Sequence, residues 1–381
     1  MHHKLAWLQL LSEKRRLFAA LAGIAFAVML QLMQFGFRDA MFDSATVLHD
    51  HMVADLILTS SLYENEVSAG TLTRRRLYQA LGIPGVESVA PLYLGGAPFK
   101  NPETGRDKLI LVIAFDPNEH VLDIPSVIEN AQAIKVPDVA IYDALSRPEF
   151  GRIVDLFQQN KTLTTEVSGR RTQITGLFEL GVSFAGNGHL IVSDATFRKL
   201  FNRPDTVCEF GLIRLKPGSD VAAVQAELIR TLPGDVKVLT HEQIRSVERA
   251  FWNANTPIGF IFLVASFVGF LVGAVIVYQI LYTDVSDHLA EYATLKAMGY
   301  TDHYLNVIVL EEAVILSVAG FPIGYVLAVL LYGVARDATH LPVFMTAARA
   351  ATVFGMTILM CCLSALVALL KLRAADPAEV F

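Results

Sequence analysis

The chain has 381 residues, of which 53% are hydrophobic and 18% charged, with a formal net charge of −6 at pH 7. Soluble domains carry about 25% charge, so this composition, with a mean hydropathy of +0.46, excludes one soluble core running the whole length. The apolar residues gather in a few long blocks and the remainder reads as an ordinary soluble domain, which points to membrane spans plus a domain.

Residues 3–16 read as a short amphipathic helix. Leu5, Leu8 and Leu11 or Leu10 share a face and Trp7 suits the interface, so the segment 1–16 is expected to lie along the headgroups on the cytoplasmic side. His2 and His3 lack a third ligand and are not expected to hold a metal. Residues 17–37 carry no charge and lie between Arg16 and Arg38, long enough for a helix to cross the hydrocarbon core. The stretch is too long for a signal-peptide core and no A-x-A-like site follows, so it is expected to stay as the first span.

Residues 38–256 are long enough for their own core. The first helix is expected to continue past Arg38 into this segment. Two copies of one pattern follow. In the first, a strand at 54–59, a helix at 72–81 and, after Ile83-Pro84-Gly85, a strand at 86–94 are expected. In the second, a strand at 210–215 leads through Lys216-Pro217-Gly218 to Ser219 as N-cap, a helix at 220–232 and a strand at 236–239. Two such β-α-β units pair naturally into a ferredoxin-like sheet. Between them, a sheet-rich subdomain over about 116–200 has strands at 163–168, 172–180 and 189–192, with a loop at 181–188. A helix at 241–255 should feed the second span, giving the domain a support of two extended helices.

The second span is 257–283, uncharged. Residues 284–304 link it to the third, with a short helix from about 287 to 298 capped by Gly299. The third span covers 305–334, with Glu311 and Glu312 expected at the interface near its start; 335–349 is a loop, 350–370 the fourth span and 371–381 a tail. Gln31, Gln34 and Gln279 are expected to face partner helices. Lys4, Lys14, Arg15 and Arg16 precede the first span, and Lys371 and Arg373 follow the last, so both termini are expected in the cytoplasm. Arg336 and Arg349 mildly oppose this; the long segment translocates regardless of charge.

The chemistry-bearing motifs are few. There is no G-x-x-x-x-G-K-[ST] loop, so the chain is not expected to hydrolyse ATP, and no H-E-x-x-H, C-x-x-C or G-x-S-x-G motif. His49 and His51, with Asp50 and Asp55, have ligand types, but i, i+2 spacing on a helix sends the two rings to different faces, as for surface residues. Ser183, His189 and Asp194 have the types of a hydrolase triad but sit in one local stretch, whereas triads are assembled from distant segments. No catalytic, cofactor-binding or metal residue is assigned, and no nucleic-acid partner is expected. Cys361 and Cys362 lie in the last span, so Cys208 is either buried and reduced or paired between subunits, with burial beside a strand expected.

Glu291-Tyr292-Ala293-Thr294-Leu295-Lys296-Ala297-Met298-Gly299-Tyr300 resembles the coupling segment of the MacB and FtsX type of ABC permease, and Asp376-Pro377-Ala378-Glu379-Val380-Phe381 resembles that family's C-terminal signature. Phe178-Glu179-Leu180-Gly181-Val182-Ser183-Phe184, with His189-Leu190-Ile191-Val192-Ser193-Asp194, is similar to the DevC branch. The resemblance covers essentially the whole chain. It implies an α-helical membrane protein with four transmembrane helices and an α+β periplasmic domain, MacB-like, in which an inserted subdomain splits a porter-type β-α-β repeat. It also implies a multi-pass permease of the bacterial inner membrane that binds no cofactor itself and transmits the motion of an ATP-hydrolysing partner. The implied partners are a second copy, a cytoplasmic ABC ATPase, a periplasmic adaptor (membrane fusion protein), a TolC-like outer-membrane channel and membrane lipid. Glu291, Tyr292, Leu295, Lys296 and Gly299 would contact the ATPase, within an export system for lipid-like or hydrophobic cargo. The alternative is an FtsX-like regulator of a periplasmic cell-wall hydrolase.

Overall fold

A long helix, α1 (Lys14–Ser44), carries the first hydrophobic stretch and ends at a turn before α2 (Val47–His51). The computed structural model describes residues 14–184, 186–287, 294, 298 and 301–373. The amphipathic helix expected before Arg16 and the C-terminal signature therefore lie outside the described residues. The chain divides into two units, one of Met41–Pro257 with Thr339–Pro342 and one of the chain up to Ala40 with Ile258–Ala338 and Val343–Phe381.

The Met41–Pro257 unit is built on a nine-stranded sheet. Its repeat is β1 (Leu56–Ser60), α3 (Arg74–Leu81) and β3 (Val86–Lys100), then β10 (Phe210–Leu215), α7 (Val221–Thr231) and β11 (Val236–Leu239). A two-residue pairing of β2 (Leu72–Thr73) with β9 (Val207–Cys208) precedes α3, which therefore starts two residues later than the expected 72. The four long strands run β11-β1-β10-β3, every pair antiparallel. This is the ferredoxin-like arrangement that two β-α-β halves give. Asp220, not Ser219, caps α7: its carboxylate accepts from the N–H groups of Ala222 and Ala223 at 2.9 and 3.4 Å.

The insertion extends this sheet. It contributes β4 (Asp107–Phe115), α4 (Pro125–Asn130), β5 (Val139–Asp143), α5 (Ile153–Asn160), β6 (Leu163–Val167), β7 (Arg170–Phe178), β8 (His189–Ser193) and α6 (Asp194–Phe201). The order continues β3-β4-β8-β5-β7-β6, and a pairing of Phe99 with Val167 brings β6 back to β3. The strand expected to stop at residue 94 runs on to Lys100, so the insertion is rooted in the second half of β3 rather than beyond residue 116. In the fold a side chain at Gly95 would stand 2.8 Å from the Phe201 ring, so the glycine lets α6 pack onto the strand.

Strand β1 is buried on both faces. Alternation sends its side chains to opposite sides: Leu56 and Leu58 join Leu77, Val224 and Leu228 under the crossing helices, whereas Ile57 joins Leu48 and Ile244. The last two lie on α2 and on α8 (His241–Asn255), so these helices share the other face. α8 has a capping box, with Thr240 and Gln243 reciprocally bonded, and stops at extended Thr256 before Pro257. It is therefore a separate helix, not an extension of the next span as expected.

The other unit contains α1, α9 (Ile258–Asp287), α10 (Asp302–Thr339) and α11 (Ala347–Arg373). Each is long and apolar enough to cross a membrane: Leu17–Ser44, Gly259–Asp287, Asn306–Thr339 and Ala347–Leu370. Helical bonding continues past the apolar stretches, so α10 reaches Thr339 and the loop expected over 335–349 narrows to 340–346. Ile24, Val28, Leu32, Val277, Leu316 and Met360 fill the interior. Glu312 is fully buried inside this unit. Gln31 is buried, Gln34 lies beside Gly269, and Gln279 is exposed, against expectation. Arg349 donates to Asp39 at 2.8 and 3.0 Å, which joins α11 to α1 and balances one of the two arginines that opposed the charge reading.

Close helix approach rests on small residues. A Cβ at Gly324 would stand 2.5 Å from the backbone oxygen of Ala25 and 2.7 Å from Val28 Cβ. A backbone atom cannot swing aside, so Gly324→Ala must move α10 away from α1. The expected cost is about 1–3 kcal/mol, seen as a lower thermal midpoint of the full chain in detergent; an unchanged midpoint would contradict this packing.

Candidate functional site

The helices that begin and end the Met41–Pro257 unit meet over β1. On α8 the inward positions are His241, Ile244, Val247 and Glu248, a helical stripe that places a carboxyl among apolar neighbours. On α2 the inward residues are Leu48 and His49. The segment after β1 adds Tyr63 and Glu66. His49 and Glu248 are completely buried, and Tyr63 and Glu66 nearly so.

These groups form one chain of hydrogen bonds. Tyr63 Oη donates to Glu248 Oε1 at 2.5 Å, and His49 Nε2 lies 3.0 Å from Tyr63 Oη. When Glu248 is ionised the tyrosine proton goes to the carboxylate, so His49 carries its proton on Nε2 and donates to Tyr63. Trp252 Nε1 donates to Glu248 Oε2 at 3.1 Å, and the backbone N–H of Glu66 also points to this carboxylate. Phe210 closes the apolar side, edge-on to both the His49 and Tyr63 rings.

Burial decides the charges. It pushes Glu248 up to about 7, against the three donors that favour its ionised form. It pushes His49 down to about 3, helped by His241 and Arg245. His49 is therefore neutral at pH 7, and its 4.0 Å approach to Glu248 is not an ion pair. Burial and then the Glu248 charge hold Glu66 well above the usual carboxylate range, and neither Glu66 oxygen has a hydrogen-bond partner among the described residues. Around the rim, Arg245 pairs with Asp50 at 2.7 Å and Arg249 with Asp43 at 2.6 Å. Those pairs are solvated and contribute little energy, but they fix which faces meet.

Trp252 extends the hub. Its ring stacks on Phe184 at 4.5 Å and 18°. Phe184 lies in the loop over 181–188, which a second buried network holds. Asp143 accepts from the backbone N–H groups of Leu145, Leu180 and Gly181 at 3.0–3.1 Å and from His189 Nδ1 at 3.0 Å. His189 Nε2 then faces Ser183 Oγ at 3.5 Å.

Ser183 and His189 are thus brought together, but the carboxylate is Asp143 on β5, and Asp194 instead pairs with Arg198 on α6. His189 is fully buried and Ser183 Oγ also accepts from Gly186 N–H. The arrangement holds a loop and presents no free nucleophile.

His49 and His51 do point apart. His49 is a buried hub residue rather than a surface one, and His51 faces the Asp123 carbonyl at 3.2 Å. Cys208 is buried, which raises its thiol pKa. Glu291, Tyr292, Leu295, Lys296 and Gly299 lie outside the described residues. Met298 N–H bonds the Thr294 carbonyl at 3.0 Å, as in a helical turn. Sequence reasoning missed Glu248, although an acid four residues after Ile244 on the apolar stripe was the available signal. It also missed Tyr63, Glu66 and Asp143, which lie in other segments.

Asp143→Asn replaces an acceptor of four bonds, two at each oxygen, by an amide that must turn its NH2 toward two of those groups. The expected loss is ~2 kcal/mol, with faster amide exchange at Leu180 and Gly181 by mass spectrometry. Unchanged protection there would refute the clamp.

Residues 17–231 match the family model of the MacB-like periplasmic core domain, and residues 263–377 match that of the FtsX-like permease C-terminal. The chain is 22% identical over 301 residues to the uncharacterized ABC transporter permease Rv0072 of Mycobacterium tuberculosis (strain ATCC 25618 / H37Rv), covering 78% of this chain and 75% of that one. Among solved structures, the extracellular domain of the ABC-type transporter YknZ from Gram-positive bacteria matches 49% of this chain and 99% of its own, at 14% identity and a TM-score of 0.34. The periplasmic region of MacB from Actinobacillus actinomycetemcomitans matches 51% of this chain and 92% of its own, at 8% identity and a TM-score of 0.36. The first family model spans more than half of the residues, and the second takes in most of the C-terminal hydrophobic helices. This membrane protein belongs to the MacB/FtsX-type family of ABC transporter permeases.

Proposed function

We propose that the chain is the membrane subunit of an ATP-driven exporter in the bacterial inner membrane, and that it transmits the motion of a separate cytoplasmic ATPase to its periplasmic domain. The observation that carries this reading is the hub: the helices α2 and α8, at the two ends of the domain, are joined by buried hydrogen bonds through Tyr63, in the segment that follows β1. A displacement of either helix is thereby shared by the whole fold. The apolar filling of the other unit suits a lever better than a polar channel. Two alternative arrangements of such packed helices, biased by nucleotide in the partner, supply the motion.

In this reading the chain works as a homodimer, binds no cofactor, and leaves ATP to its partner. A periplasmic adaptor and a TolC-like channel complete the path, and hydrophobic or lipid-like cargo enters from the outer leaflet. Glu291, Tyr292, Leu295, Lys296 and Gly299 form the surface that meets the ATPase.

Glu291→Lys and Gly299→Pro should reduce co-purification of the ATPase from membranes about tenfold, equivalent to ~1.4 kcal/mol of binding. The periplasmic domain should keep its resistance to proteolysis in both variants. Undiminished ATPase recovery would overturn the assignment of this surface. Deleting the gene should abolish export of hydrophobic compounds; normal export with failed cell separation would instead indicate regulation of a cell-wall hydrolase.

A further inference from the structure

The hub contains more ionisable groups than a structural joint requires. Glu248 faces His49 and Asp50 from α2, and Tyr63 and Glu66 from the segment after β1. On its own helix lie His241, Arg245 and Arg249. From β11, Lys237 Nζ donates to the Tyr63 carbonyl at 3.0 Å, and Asp43 pairs with Arg249. The cations nearest by pairing, Arg245 and Arg249, are taken by Asp50 and Asp43 at the rim. Among the described residues the donors to Glu248 are neutral: a phenol, an indole and a backbone N–H. Buried beside it, the Glu66 carboxyl has no hydrogen-bond partner among the described residues.

We propose that Glu248 is a proton-binding site, and that its protonation reverses the hydrogen-bond chain to His49 and loosens Trp252, so that the joint responds to the pH outside the cytoplasm. In the ionised state the bonds run from His49 Nε2–H to Tyr63 Oη–H to Glu248 Oε1. One proton taken from solvent makes Glu248 a donor. Tyr63 then accepts from Glu248 and donates to His49 Nε2, and His49 moves its proton to Nδ1, an atom with no partner among the described residues. The proton count balances: one is gained at Glu248, and the histidine changes tautomer without changing charge.

Trp252 and the Glu66 N–H then point at a neutral carboxyl, where a hydrogen bond is roughly half as strong as to a carboxylate. Trp252 is the residue that stacks on Phe184, so the loop over 181–188 feels the change. The position of Glu248, raised to about 7, puts the switch within ordinary environmental pH.

The sign of the stability effect follows. The folded pKa of Glu248 lies above its ordinary 4.5, so its contribution is fully present below pH 4.5 and is lost as pH rises through about 7. His49 is depressed from 6.5 to about 3, so its contribution is present above 6.5 and is lost as pH falls toward 3. The two oppose each other between 4.5 and 6.5.

The sequence has two tryptophans, Trp7 and Trp252, so Trp7→Phe in the full chain leaves Trp252 as the only indole emitter. Its emission, in detergent or nanodiscs, should show one transition centred near pH 7. Glu248→Gln should abolish it, and Tyr63→Phe, which removes a donor to the carboxylate, should move it to higher pH. In thermal melts the Gln variant should gain on the parent from pH 4.5 upward and level off above 7. Emission flat from pH 5.5 to 8.5, a transition that survives Glu248→Gln, or an unmoved midpoint in Tyr63→Phe overturns the proposal. None of these readouts depends on the export reading, which fails separately if the ATPase does not co-purify. The functional consequence rests on that reading: cargo export should vary across pH 6–8 in the parent and not in Glu248→Gln.

Discussion

Glu248 holds a carboxyl group out of water on the inward face of α8, and such a group is costly to bury without donors. That requirement organises its neighbours. Tyr63 must reach it from the segment after β1, and Trp252 must turn back one helical turn to offer its indole N–H. His49 must stay neutral to complete the chain. Each of these residues belongs to a different stretch of sequence, so the bonds can form only when α2, α8 and the edge of the sheet are already in register. The hub therefore specifies an arrangement as much as it stabilises one, which is the best-attested use of buried polar groups.

The other unit is held by a different economy. Its interior is mainly apolar, with Gln31, Glu312, Ser317, Thr357 and Ser364 also buried, and the close approach of α1 and α10 rests on Gly320 and Gly324 lying against Ile24, Ala25 and Val28. Directional bonds appear near one end of the helices. Tyr332 donates to the Leu32 carbonyl, Arg349 is clamped between Asp39 and the Phe344 carbonyl, and Arg349 also lies 5.9 Å from the Tyr332 ring centre. Away from that end Ser364 Oγ donates to the Ala274 carbonyl at 2.8 Å, joining α11 to α9, and the bonds at Asp39 and Arg349 tie α1, α11 and the connection before α11 together.

Much of this was legible in the amino-acid sequence, for identifiable reasons. The spans follow from long apolar runs, three of them uncharged and the third span carrying only Glu311 and Glu312 near its start, and a helix satisfies its own backbone groups in lipid. The split repeat was legible because β10, α7 and β11 are bounded by Lys216-Pro217-Gly218 and Pro233-Gly234, turn residues with fixed backbone preferences. The strand expected to stop at residue 94 runs on to Lys100, and Gly95 within it admits the Phe201 ring, a contact over a hundred residues away that no local pattern shows. The site was the least legible part. A histidine in a short helix and a glutamate on an amphipathic one give no local sign that they share a tyrosine, and Asp143 replaced Asp194 beside His189 because strand pairing, not sequence distance, decides which carboxylate arrives.

Two buried polar networks in one unit raise the question of why both exist, and the sheet supplies the answer. Along β1, Ile57 faces the hub side while Leu56 and Leu58 face the crossing helices, so the hub grips one face of the ferredoxin-like half. The Asp143–His189–Ser183 network lies farther along the sheet, on β5, β8 and the loop they hold. Among the described residues the aromatic stack of Phe184 on Trp252 joins the two networks. A stack has broad geometric tolerance compared with a hydrogen bond. In the motion-transmitting reading proposed above, two hydrogen-bonded clamps joined by one aromatic contact would let α8 move by small amounts while the sheet stays paired and the loop follows. That division of stiffness is what a domain needs if its helices are to be displaced repeatedly and its strands are to stay paired.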